Sequence, residues 1–152
     1  MKPLAIFTRA RMGALVLAML ALLFAPRGRA NAPGGRYTVA DGTVTDNQTG
    51  LVWQQADDGN TYTFAAAQSH CAGLGGTWRV PTPKELLTLV DESRESPAID
   101  TTAFPNTPAT NFWTSAPSAT NAGDAWFVDF NAYGTSYDYY PATNAFSVRC
   151  VH

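Results

Sequence analysis

Gly76-Thr77-Trp78-Arg79-Val80-Pro81-Thr82-Pro83-Lys84-Glu85-Leu86-Leu87 is the stretch on which the fold turns. It gathers opposite charges in a chain where charged residues make up only 14%, so an active site and a structural joint are both conceivable. Position favours the joint. Thr82 stands where a helix N-cap belongs, Pro83 follows where its missing N–H costs nothing, and Glu85 comes three residues after the threonine to complete a capping box. Leu86, Leu87, Leu89 and Val90 supply an apolar face, and the spacing predicts a helix fading near Glu92 and Ser93. Trp78 and Arg79 enter it from an extended stretch. Arg79 is expected to pack its stem and tie its guanidinium to a carboxylate or loop carbonyl, rather than grip an anionic ligand. Arg149, flanked by core residues of the last strand, reads the same way.

Upstream, Thr43-Val44-Thr45 and Leu51-Val52-Trp53 flank a turn-rich loop ending at Gly50, an opening β-hairpin. The sequon Asn47-Gln48-Thr49 in that loop is a pattern common by chance. Thr63 caps a predicted helix over 64–72 that stops at Gly73, and Phe64, Ala67, Cys71 and Leu74 fall on one stripe of it. Downstream of the second helix, residues 96–124 are rich in Pro, Thr, Asn and Ala, with one strand-like island at Asn111-Phe112-Trp113-Thr114-Ser115. A meander follows: Ala125 to Phe130, a turn around Gly134, Ser136 to Tyr140, a turn at Pro141-Ala142-Thr143-Asn144, and a last strand Phe146 to Cys150. The order of hairpin, two helices, irregular loop and antiparallel strands is an α+β pattern.

The first thirty residues read as an export signal rather than as fold. Lys2, Arg9 and Arg11 precede the apolar run from Met12 to Ala25, and Gly28-Arg29-Ala30 offers a cleavage site before Asn31. That 14-residue run is shorter than the roughly 20 residues a spanning helix needs, so no membrane anchor is expected after cleavage. Residues 31–36 form a Pro/Gly leader and residues 37–152 one domain, periplasmic or secreted. The signal takes Lys2, Arg9, Arg11, Arg27 and Arg29 with it, leaving five of the 10 bases against all 12 acids, a net charge of −7. Such a surface argues against nucleic acid and against a sulfated polysaccharide.

Two cysteines, Cys71 and Cys150, permit one intrachain bridge. Helical periodicity turns Cys71 inward, and strand alternation puts Cys150 with Phe146 and Val148 on the apolar face. A disulfide from first helix to last strand is the economical reading in an exported chain.

Several of these pieces recur in order: Thr49-Gly50-Leu51-Val52-Trp53, Trp78-Arg79-Val80-Pro81-Thr82 with Glu85-Leu86-Leu87, Pro97-Ala98-Ile99-Asp100, Phe104-Pro105, Phe112-Trp113-Thr114-Ser115, Ala125-Trp126 and Val148-Arg149-Cys150-Val151. The set resembles the Lcl C-terminal domain family, named after the end domain of a bacterial collagen-like adhesin, over roughly 37–152. The resemblance implies a C-type lectin-like fold, in which a bridge from first helix to last strand is a recurrent feature. The calcium-binding tripeptides of true lectins are missing: no proline here follows the required carboxylate or amide.

Candidate chemistry is sparse. His70 and Cys71 are helix neighbours that point about 100° apart, His152 is terminal, and Asp57-Asp58-Gly59-Asn60 lacks the alternating acids of a calcium loop. No catalytic residues, metal ligands or cofactor are assigned. Tyr133, Tyr137, Tyr139 and Tyr140, with Trp126, form a candidate ligand face for a carbohydrate or a protein surface, because tyrosine gives contact area at low entropic cost. Sheet cover is the competing role for these rings. The expected function is an exported non-catalytic binding module. The alternatives are an enzyme related to the formylglycine-generating enzymes, whose Arg-Leu-Pro-Thr helix entry is similar to Arg79-Val80-Pro81-Thr82 here and which use a reactive cysteine pair, and a ligand-free periplasmic structural protein.

Overall fold

Asp41 and Gly42 both take positive φ, 50° and 76°, the pair of conformations that a two-residue hairpin turn matching the strand twist demands. The chain therefore folds back at once, and β1 (Tyr37–Ala40) pairs antiparallel with β2 (Thr43–Asp46). The turn that closes at Gly50 then lays β3 (Val52–Gln54) on the other side of β2, giving a sheet ordered β1-β2-β3. The hairpin expected from sequence is thus β2–β3, and β1 is an added strand that the Asp41-Gly42 pair signals. The computed structural model describes residues 34–131 and 135–152, with side chains of 135–139 excepted; the expected signal and Tyr133 lie outside the described residues.

Helix α1 (Phe64–Gly73) starts where Thr63 accepts from the Ala66 N–H and buries Ala67 and Cys71. Leu74, expected on the same stripe, lies beyond the last turn and is exposed. Helix α2 (Pro83–Leu87) is shorter than its apolar run suggested. After Leu87 the chain tightens into bonds three residues back, Leu89 to Leu86 and Val90 to Leu87, and Asp91 N–H turns to the Ala98 carbonyl. Leu89 is buried regardless, so tertiary packing takes the apolar face without needing more helix.

The second sheet is β4 (Asn111–Pro117), β5 (Asp124–Asp129) and β6 (Thr135–Pro141), in that order. Phe112 and Val128 face one core with Leu86, Leu89, Ile99 and Phe104, together with Val44 and Trp53 of the first sheet. Trp113, Ala125 and Phe127 face a second core with α1 and Phe146. The sheet is thus apolar on both sides, which explains its unbroken Phe-Trp and Phe-Val runs.

Residues 146–151 do not form the alternating strand expected. Ser147, Val148, Arg149, Cys150 and Val151 are all buried, because the segment threads between both sheets. Phe146 exchanges bonds with Tyr62, Ser147 bonds to Asn111 and Trp113, Cys150 accepts from Gln54, and Val151 exchanges bonds with Arg79. Val151 packs into the first core and Val148 and Cys150 into the second, so both faces of the segment are covered and no solvent-facing set of residues remains.

Candidate functional site

The Arg79–Glu85 pair is a forked salt bridge: Nη1 donates to Oε2 at 2.8 Å and Nη2 to Oε1 at 2.7 Å. The same carboxylate accepts the Thr82 N–H at 2.8 Å, while Thr82 Oγ1 accepts the Glu85 N–H. One acid therefore caps the helix and anchors the extended entry strand, whose Arg79 backbone is bridged to Val151. Hydrogen bonding from Arg79, helped by the Thr82 bonds and opposed by burial, holds the Glu85 carboxyl down at about 2. A carboxyl lowered on folding contributes stability above its ordinary value of 4.5. That contribution disappears as pH falls from there through about 2. Glu85→Gln is expected to cost about 1 kcal/mol at neutral pH, because glutamine can keep the capping bond to the Thr82 N–H and the ion pair given up is with a half-exposed Arg79. Urea unfolding at pH 7 and pH 3 checks this, with the gap between parent and variant narrowing at the lower pH.

Arg149 is buried, yet among the described residues no carboxylate forms an ion pair with it. Nη1 donates to the Gln54 and Gln55 carbonyls, both at 2.6 Å, and Nη2 to Thr107 Oγ1 at 2.8 Å. Its guanidinium lies over the rings of Phe104 and Phe112, 5.0 and 5.9 Å from their centroids. Burial lowers its pKa to about 10, against a smaller opposing effect of the Asp57 charge, so the cation persists at neutral pH. Its reach across 94 and 95 residues of sequence to the carbonyls after β3 makes it a structural brace.

Cys71 and Cys150 are joined, with Cα atoms 5.5 Å apart and a sequence separation of 79. The bridge sits in the second core beside Val80 and Trp113.

A family model for the Lcl C-terminal domain matches residues 42–152. The chain belongs to that family. No curated protein and no solved structure gives a match.

Within this Lcl C-terminal domain the aromatic candidates divide. Tyr140 pairs with Ala125 across β5–β6 and packs on Phe127 and Phe146, centroids 5.5 and 5.2 Å away, while remaining 38% exposed. It therefore covers the second core and presents one side to solvent. Trp126 is half-buried and lies between Ala125 and Phe127, where the pairing with β6 is irregular. Tyr137 and Tyr139 lie on β6.

Two clusters escaped the sequence. Arg36, at the end of the expected leader, is half-buried and donates to Asp46 Oδ2 at 3.0 Å and to the Thr88 carbonyl, linking the first sheet to the exit of α2. Burial pushes the Asp46 carboxyl upward, but bonds from Arg36 and the Gln48 N–H outweigh it and lower its pKa. Asp58 accepts from Tyr62 Oη at 2.5 Å and lies 3.6 Å from His70 Nε2, with the two rings 4.6 Å apart. Burial again raises the Asp58 carboxyl less than the hydrogen bonds from Tyr62 Oη and the Asn60 N–H lower it. The sequence signal for the second cluster was present: Tyr62 and His70 flank the first two turns of a capped helix. Among the described residues no group of three His, Cys, Asp or Glu side chains is placed to hold a metal. No described helix is long and apolar enough to cross a membrane.

Proposed function

We propose that this chain is an exported, non-catalytic adhesion-type module that binds a carbohydrate or protein surface through the aromatic strands β5 and β6. A C-type lectin-like arrangement is part of this reading, supported by the bridge that ties the first helix to the terminal segment. The observation that carries it is how the reactive residues are spent. Both cysteines are in the bridge, Arg36 is held by Asp46, Arg79 by Glu85, Arg94 by Asp91, and Arg149 by carbonyls. Arginines engaged in this way are poor donors to a sulfated polymer, so the favoured ligand is neutral or cationic. The enzyme alternative needs a reactive cysteine pair, and the bridge uses both thiols. Family membership points to an adhesin-like module.

The test is a screen of the mature protein against neutral glycans, sulfated glycans and cell-surface proteins. The triple substitution Tyr137→Ala, Tyr139→Ala, Tyr140→Ala is expected to weaken binding at least tenfold, since buried aromatic anchors carry about 2 kcal/mol or more each. Trp126→Ala, a single change on β5 rather than β6, should change it less. Equal binding by parent and triple variant would remove β6 as the ligand face.

A further inference from the structure

β1 forms an outer edge of the first sheet, and none of Tyr37, Thr38, Val39 and Ala40 is charged, proline or bulged. Soluble domains usually protect sheet edges by one of those devices, because an open backbone templates pairing with another strand. The phase of the ladder decides which groups are open. The Asn47 N–H donates to the Arg36 carbonyl at 2.8 Å, and the two-residue turn makes Ala40 and Thr43 a bonded pair. Arg36, Thr38 and Ala40 therefore face β2, which aims the N–H and C=O groups of Tyr37 and Val39 out of the sheet. The Val39 side chain is 47% exposed, and beside it lies a depression of about 200 Å³ lined in part by Tyr37, Val39, Asp100 and Ala103.

This edge is complementary to itself. In an antiparallel copy with Thr38 opposite its own counterpart, Tyr37 meets Val39 of the copy and Val39 meets Tyr37. Every outward N–H then faces an outward carbonyl, about four hydrogen bonds around a two-fold axis. A shift of one residue sets outward groups against inward ones. A shift of two moves one end of the pairing onto Gly35 or Asp41, whose φ values of 83° and 50° are not extended. The Tyr37–Val39 contact is an aromatic–β-branched cross-strand pair, a favourable kind, and the depression leaves room for the incoming valine.

We infer that β1 is a self-association edge through which two copies of this domain join their three-stranded sheets into one continuous sheet, with the two-fold axis at Thr38. One short strand buries less than a standard interface, so the dimer is weak and forms where copies are crowded. The inference does not depend on the ligand reading.

Cysteine cross-linking tests the register. Thr38 opposes itself in a non-hydrogen-bonded pair, whose close Cβ atoms suit a disulfide. Thr38→Cys is expected to give a covalent dimer on mild oxidation, whereas Ala40→Cys, facing Arg36 of the copy, remains monomeric. In sedimentation of the parent protein, the average mass should rise toward twice the monomer with concentration. Val39→Pro removes an outward N–H and Val39→Glu removes the apolar contact while keeping that N–H. Each should weaken dimerisation at least tenfold, with circular dichroism confirming that both fold. Cross-linking at Ala40 as fast as at Thr38, a parent that stays monomeric throughout, or dimerisation indifferent to both Val39 variants overturns the inference.

Discussion

The double substitution Cys71→Ala, Cys150→Ala is expected to destabilise the domain by about 2–5 kcal/mol, with loop-closure entropy for so long a loop near the upper end. The bridge joins α1 to the terminal segment across 79 residues, and both cysteines are buried in the second core. Its loss frees the unfolded chain and leaves the terminal segment held by backbone bonds and packing alone. For a domain whose whole stability is on the order of 5–15 kcal/mol, a change of that size decides whether it survives at body temperature. Urea unfolding of the parent protein with and without reductant, beside the alanine variant, measures it. The reduced parent should track the variant, and the oxidised parent should take up no thiol reagent while folded. An unchanged midpoint in the variant would mean that the bridge records proximity without adding stability.

Arg149→Met is expected to bring a further and separate cost of about 2–4 kcal/mol, because neutral acceptors lose a charged donor while the cost of burying the cation is relieved. Methionine fills similar space, so the loss is mainly the hydrogen bonds. The carbonyls of Gln54 and Gln55 and the hydroxyl of Thr107 would be left buried without this donor. Arg149→Lys should fall between parent and Met, since one ammonium keeps the charge over Phe104 and Phe112 but lacks the planar fork that reaches three acceptors. Thermal melts of the three proteins at pH 7 check the order. A Met variant as stable as the parent would show the brace to be dispensable, as can happen when buried polar groups give way to packing.

Much of the fold was legible because its signals are local. The Thr63 and Thr82 caps, the Glu85 return bond and the Gly50 turn depend on conformations and hydrogen bonds within a few residues. The Cys71 position was legible from helix period. Where the sequence reading missed, a distant partner had decided the outcome. Helix α2 stops at Leu87 because the chain beyond it bonds to the segment around Ala98. Leu74 fits an apolar stripe on paper but falls outside the helix that would have turned it inward. The candidate ligand face was legible only as a count of aromatic residues, because their sides depend on the pairing register of β5 with β6 and its irregularity between Ala125 and Phe127.

By itself, then, the sequence determined the α+β order, the helix entries, the pairing of Cys71 with Cys150 and membership of the Lcl C-terminal domain family. Only the tertiary structure decided that residues 147–151 would be buried between two cores, that Arg149 would be satisfied by carbonyls rather than by an acid, and that Tyr140 would pack on Phe127 and Phe146. The physical reason is range. Caps and turns close within one or two turns of chain, whereas burial and hydrogen-bond partners across 94 residues depend on how both sheets pack around the terminal segment.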